Sequence, residues 1–155
     1  MAGVAGGVFV GVAGVILLNH ILKQLFGLPR PEDSGLTDFS YPSGHASAAA
    51  AFFTLTAVWL LHNRDHHTRH LGYLCTIPLI LAVALSRPML GVHWPMDVVA
   101  GVAEALVITA LYRIWLHHWP APVRLPLSWA GVLCVLTGLY VVLTFDSAAG
   151  RYPGS

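Results

Sequence analysis

The stretch MAGVAGGVFVGVAGVILLNHIL, Met1 to Leu22, contains no Asp, Glu, Lys or Arg, and the first charged side chain is Lys23. A hydrocarbon core about 30 Å thick needs about 20 mostly apolar helical residues to cross it, so this run is long enough to span a bilayer. It lacks the basic n-region of a secretory leader, and its apolar stretch exceeds the usual h-region, so it reads as a retained helix. Gly3, Gly7 and Gly11 recur at four-residue spacing. They line one helix face with small residues, over which a neighbouring helix can approach closely.

Working outward, four more apolar runs follow: His45 to His62, Leu71 to Leu85, Pro95 to Trp115 with Glu104 in its middle, and Leu127 to Phe145. The composition agrees with this pattern. Hydrophobic residues make up 56% and charged residues 10%, against roughly 25% charged in an ordinary soluble domain. The expectation is an all-α polytopic transmembrane helix bundle of about five helices, forming a single membrane-embedded domain over residues 1–155. With 8 Lys and Arg against 7 Asp and Glu, no basic surplus exists to hold a nucleic-acid backbone. Cys75 and Cys134 both sit inside apolar runs, where a thiol is expected to behave as a small buried hydrophobe.

Five crossings place the ends of successive helices on alternating sides. One side receives Lys23, Arg30, the helix start at His45, the stretch Ser86 to Asp97, and Arg151; the other receives Arg64, Arg69, Arg113 and Arg124. The Lys/Arg count is four against four. Lys23, Arg30 and Arg87 have a chemical explanation of their own, given next, and discounting them leaves four against one. The positive-inside rule then predicts that the side bearing Arg64 and Arg69 is cytoplasmic and the side bearing His45 and Asp97 faces outward.

Three clusters gather on that outward side: Lys23 with Arg30 and Pro31 in KQLFGLPRP, YPSGH from Tyr41 to His45, and SRPMLGVHWPMD from Ser86 to Asp97. The inventory suits a phosphate ester. Arg offers a planar fork of donors that matches phosphate oxygens, and Lys a compact point charge. Phosphoryl transfer asks mostly for positioning and for stabilisation of negative charge on three equatorial oxygens. Pro-Ser-Gly-His opens an apolar helix with Ser43 as the expected N-cap, so unpaired backbone N–H groups would face the same side, and Gly44 lets a ligand approach the main chain. Pro95 suits the first turn of the next helix, which puts His93 just outside it and Asp97 within that turn. That spacing lets the Asp97 carboxylate fix one imidazole nitrogen of His93 and leave the other free to attack, with His45 as general acid for the leaving alkoxide.

These residues resemble the type 2 phosphatidic acid phosphatase superfamily of membrane lipid phosphatases, which shares its active-site plan with vanadium haloperoxidases and glucose-6-phosphatase. Three signatures carry the resemblance: Lys, six residues, Arg-Pro at Lys23 to Pro31; Pro-Ser-Gly-His at Pro42 to His45; and Ser-Arg, five residues, His, three residues, Asp at Ser86 to Asp97. The match is good from about Leu17 to Val107, whereas the fifth run matches only in being apolar. The resemblance implies His93 as nucleophile, Asp97 as its orienting partner and His45 as acid/base. It implies phosphate contacts from Lys23, Arg30, Ser43, Gly44, Ser86 and Arg87, and no metal or other cofactor. Members commonly carry six membrane helices, one or two of them ahead of the helix that ends in the Lys signature, and here that helix begins at Met1. The resemblance therefore implies a truncated or a naturally short form.

The expected activity is hydrolysis of a lipid phosphomonoester or diphosphate, of the phosphatidic acid, phosphatidylglycerophosphate or undecaprenyl diphosphate type, by an integral protein of a bacterial inner membrane. The rivals are a phosphotransferase of the same plan and a non-catalytic membrane fragment. A haloperoxidase is disfavoured because such enzymes are soluble, and a channel would leave the three clusters unexplained. Elsewhere the ordinary readings prevail. His20, His117 and His118 read as surface residues, and Trp94, Trp115 and Trp119 as an interfacial belt. Glu32, Asp33 and Asp38 read as solvated loop acids placed where they could shape substrate entry, and Glu104 as a structural carboxyl facing the bundle. The run His62, His66, His67, His70 has spacing that suits zinc but lies on the opposite side from the other chemistry.

Overall fold

The computed structural model of the chain describes residues 2–118. The run Leu127 to Phe145, with Cys134, Trp119 and Arg124, lies outside the described residues. Within them the chain forms four long helices: α1 (Ala2–Phe26), α2 (Gly44–Leu61), α3 (His66–Met89) and α4 (Pro95–His118), with a short 3-10 turn at Glu32–Ser34. All four are long and apolar enough to cross a membrane.

The second of these is the centre of the bundle, packed against α1, α3 and α4. Its sequence explains the position. Ala46, Ala50 and Ala51 are buried and present almost no side chain, so backbones can approach from more than one direction. Leu55 is wholly buried, as are Val15 of α1 and Ala105 of α4 in the same cluster. Thr54 and Thr109 hydroxyls meet at 2.6 Å across α2 and α4, an interhelical hydrogen bond of the kind that holds helices together in lipid. The glycine stripe of α1 does what its spacing predicts at two of its positions. A Cβ on Gly11 would fall 2.7 Å from Leu55, and one on Gly7 would fall 2.9 Å from the Tyr112 ring.

The faces of α1, α3 and α4 turned away from the core are apolar, and among the described residues Phe9, Leu25, Leu74, Met89 and Ile114 are all exposed. Such surface is costly in water and at home among lipid tails. Cys75 belongs to this face. It is exposed rather than buried, because in a membrane an apolar neighbourhood in sequence can face lipid as readily as the core. The third helix is longer than its apolar run: it begins at His66 and ends at Met89, taking Ser86 and Arg87 into its last turn. Backbone hydrogen bonding continues through polar residues, so hydropathy marks the lipid-facing part of a helix and not its ends.

Two glycines bring the loops at one end of the bundle back over the helix ends. Gly27, with φ 57°, follows the last residue of α1 and donates its N–H to the Lys23 carbonyl, stopping the helix. Gly91, with φ 66°, turns the chain between α3 and α4 and donates to the Pro88 carbonyl, so that Val92 and His93 fold inward.

Candidate active site

The ends of α1, α2, α3 and α4 and the loop 27–43 meet at one end of the bundle, and the residues picked out by sequence converge there. His93 stands between α3 and α4, and Asp97 lies in the first turn of α4, as the Pro95 start predicts. Both side chains are almost fully enclosed. Asp97 Oδ2 is 3.3 Å from His93 Nδ1 and accepts from the Trp94 backbone N–H at 2.8 Å and from the Ser40 hydroxyl. Ser40 Oγ also lies 3.4 Å from His93 Nδ1.

The opposite ring nitrogen faces Arg30. Its Nη1 lies 3.1 Å from His93 Nε2 and also donates to the Val92 carbonyl at 2.7 Å. A guanidinium has donors only, so Nε2 is the accepting, unprotonated nitrogen, and Nδ1 carries the proton toward Asp97. Burial, then the Arg30 charge, pushes the His93 imidazole down to about 4, with the Asp97 hydrogen bond opposing the shift. Near neutral pH the ring is therefore uncharged, with the lone pair of Nε2 aimed at the cation cluster.

That cluster contains Arg30 and Lys23, brought together from the loop and from the last turn of α1. Arg30 is enclosed, with 8% of its side chain exposed, and Lys23 with 14%. Lys23 Nζ donates to the Phe39 carbonyl. Arg87, from the last turn of α3, is buried, and its Nε lies 3.2 Å from Ser86 Oγ, while Ser86 donates to the Val83 carbonyl. His45 is exposed in the first turn of α2, within electrostatic reach of Arg87, Arg30 and Lys23.

Ser43 occupies the N-cap position of α2, but its hydroxyl does not cap the helix. Its backbone N–H is taken by the Asp97 carbonyl at 2.9 Å, tying the starts of α2 and α4 together, and its buried Oγ has no hydrogen-bond partner among the described residues. Gly101 permits this docking, since a Cβ there would fall 2.5 Å from the Ser43 carbonyl oxygen. A Cβ on Gly44 would meet Asn19 Oδ1 at 3.2 Å.

One turn deeper, Glu104 Oε2 accepts from Asn19 Nδ2 at 3.0 Å and from Ser47 Oγ at 3.2 Å, so this carboxyl is a bundle-facing structural group joining α4 to α1 and α2. Sequence reasoning passed over Asn19, Ser40, Ser47 and Gly101. An asparagine inside an otherwise apolar run was the available signal for the first. For Asp38, the reading as a solvated loop acid holds only in part. This loop acid is not simply solvated: it pairs bidentately with Arg30, Oδ1 to Nε and Oδ2 to Nη2 at 2.8 Å each, and lies 3.7 Å from Lys23 Nζ. The Arg30 hydrogen bonds hold its carboxyl below the usual carboxylate range. Glu32 and Asp33 are exposed as expected. At the far end of the bundle, His66 and His70 face each other with Nε2 atoms 3.1 Å apart, and among the described residues no third metal-ligating side chain joins them.

Four membrane-length helices among the described residues, closing one end around a buried His–Asp pair beside clustered cations, define a class: integral membrane proteins with a buried polar centre at one end of their helices. The chain belongs to the PAP2 superfamily, whose family model matches residues 5–121. It is 31% identical over 102 residues to phosphatidylglycerophosphatase B of Bacillus subtilis, covering 63% of this chain and 50% of that protein. It is 31% identical over 133 residues to a lipid A 1-phosphatase of Rhizobium johnstonii, covering 70% and 51%. The crystal structure of a transmembrane PAP2-type phosphatidylglycerolphosphate phosphatase from Bacillus subtilis superposes with a TM-score of 0.66 at 26% identity, covering 72% of this chain and 58% of that one. The chain spans about half the length of the curated relatives it matches.

Proposed function

We propose that the chain is a membrane lipid phosphatase that hydrolyses a phosphomonoester or diphosphate lipid through a phosphohistidine, without metal. The observation that carries the reading is the setting of His93: Nδ1 lies 3.3 Å from the Asp97 carboxylate and Nε2 3.1 Å from the Arg30 guanidinium, a group that can only donate. A nucleophile needs the lone pair that meets such a donor, and the orienting carboxylate supports the positive charge that builds on the ring as it attacks.

In this reading the phosphate group enters from the headgroup level and takes its oxygens to Lys23, Arg30, Arg87 and Ser86, to the Ser43 hydroxyl, and to the backbone beside Gly44. Nε2 attacks phosphorus, the bond to the lipid oxygen breaks, and His45 gives that oxygen its proton. His45 then takes a proton from water, which attacks the phosphohistidine, releasing inorganic phosphate and restoring neutral His93. The side-chain cations supply the charge stabilisation that a metal supplies elsewhere.

The substrates that fit are phosphatidic acid, phosphatidylglycerophosphate and undecaprenyl diphosphate. A site set at helix ends among lipid-facing surfaces, and the names of both bacterial relatives, support a lipid over a soluble ester. The positive-inside count supports the site on the outer face, and the bacterial source of both relatives supports a bacterial inner membrane. The test is phosphate release from these three lipids by the detergent-purified chain in EDTA, beside His93→Ala. Release that persists in EDTA and is lost in the variant is expected; release that requires added metal, or that survives the substitution, overturns the mechanism.

A further inference from the structure

We infer that the Asp38 carboxylate is an internal anion seated on the phosphate cradle, which substrate must displace and which selects doubly charged phosphate monoesters and diphosphates over the singly charged diester headgroups of bulk lipid. The inference rests on the phosphatase reading above and deepens it by naming a residue that decides which phosphates enter.

Counting donors leads to it. Arg30 has five N–H groups. Nε and Nη2 hold the Asp38 carboxylate, with Nε also 3.2 Å from the Asp38 carbonyl, while Nη1 is engaged by the Val92 carbonyl and by His93 Nε2, so among the described residues one Nη2 hydrogen is left without a partner. Lys23 is turned to Asp38 and to the Phe39 carbonyl. The planar edge of Arg30 that would grip two phosphate oxygens is thus already gripping two carboxylate oxygens with the same geometry. Asp38 nevertheless lies at the rim, with 59% of its side chain exposed, on the loop that links α1 to α2. It can swing into water with little desolvation, whereas Arg30 and His93 are held by the fold.

A carboxylate attached by a short tether competes as an intramolecular ligand, at an effective concentration in the millimolar range or above. A diester brings one negative charge, the same as the group it must replace, and gains little. A monoester dianion or a diphosphate brings more charge to Lys23 and Arg30 and can displace it. In a membrane, where diester headgroups crowd every headgroup-level site, such a screen keeps the cradle from being occupied by lipids that cannot react productively.

The test is titration calorimetry of inorganic phosphate into the full-length chain in detergent, comparing the unsubstituted protein with Asp38→Asn and Asp38→Ala, with and without phosphatidylglycerol in the micelles. If the free cradle is open in about a tenth of molecules, removing the latch tightens phosphate binding about tenfold. That tightening is expected in both variants, together with competition by phosphatidylglycerol that the unsubstituted chain resists. Unchanged or weaker phosphate binding in both variants would mean that Asp38 merely braces Arg30, and would overturn the inference. Tighter binding without phosphatidylglycerol competition would overturn the selection it is credited with. Phosphate binding needs no turnover, so lipid hydrolysis by the unsubstituted chain decides the phosphatase reading separately.

Discussion

The two ends of the bundle are built from the same kinds of residue and use them in opposite ways. At the turn between α2 and α3, Asp65 caps α3 by accepting from the Thr68 N–H at 2.9 Å and the Thr68 hydroxyl at 2.7 Å, and His66 faces His70 one turn on. Every one of these partners is within four residues, and all are exposed. At the other end, Asp97 binds Ser40, which is 57 residues away, in a buried contact, and His93 meets Arg30 from 63 residues away in a part-buried one. An aspartate and a histidine in water do local work on one helix. The same pair, buried and joined to distant elements, acquires a fixed tautomer and a shifted proton affinity.

Replacing His93 by Ala should strike this contrast hardest, lowering turnover by about 10⁴-fold or more, as read by phosphate release at saturating lipid. Asp97→Asn should cost about 10²- to 10⁴-fold, because an amide neither supports the developing imidazolium nor holds the same tautomer; a loss in KM alone would break the orienting role. The pH profile sharpens the comparison further. His93 acts as nucleophile only when neutral, and it is neutral above its proton affinity, so its imidazole titration, followed by NMR of the ring nitrogens, should show no acid limb as pH falls through 6.5 and one only toward about 4. Arg30→Gln removes a charge that disfavours the imidazolium and should move that acid limb upward.

Smaller effects are expected away from the reacting atoms. Glu104→Ala strips Asn19 and Ser47 of their common acceptor and should destabilise the bundle by about 1 kcal/mol, visible as a lower unfolding midpoint in detergent. Asp65→Ala removes the cap on α3 and should lower that midpoint slightly while leaving turnover per folded molecule unchanged. A large loss of turnover on substituting Asp65 would erase the distinction between the two ends.

Much of this was readable in the chain before its fold was known, and the reason is periodicity and spacing. Met1 to Leu22 is too apolar to be anything but a membrane helix, and the three motifs ending at Pro31, His45 and Asp97 place cations and histidines where helix ends alternate. What could not be read are contacts made by chain reversal. Asp38 looks like Glu32 and Asp33 beside it, and only the fold past Gly27 turns it onto Arg30. Ser40 and Asn19 gain meaning from Asp97 and Glu104, residues in another helix. Cys75 resembles any core thiol in sequence, and the lipid-facing side of α3 is decided by which helices pack on it.

The central claim is that His93 Nε2 forms the bond to phosphorus. Its most direct test is acid-free denaturation of the chain during steady-state turnover of a lipid phosphate, followed by mass spectrometry of the peptide containing residue 93. The account predicts a phosphate on His93 that appears with substrate, decays when substrate is spent, and is absent without substrate. Turnover with no phosphate on His93 under any of these conditions would contradict it.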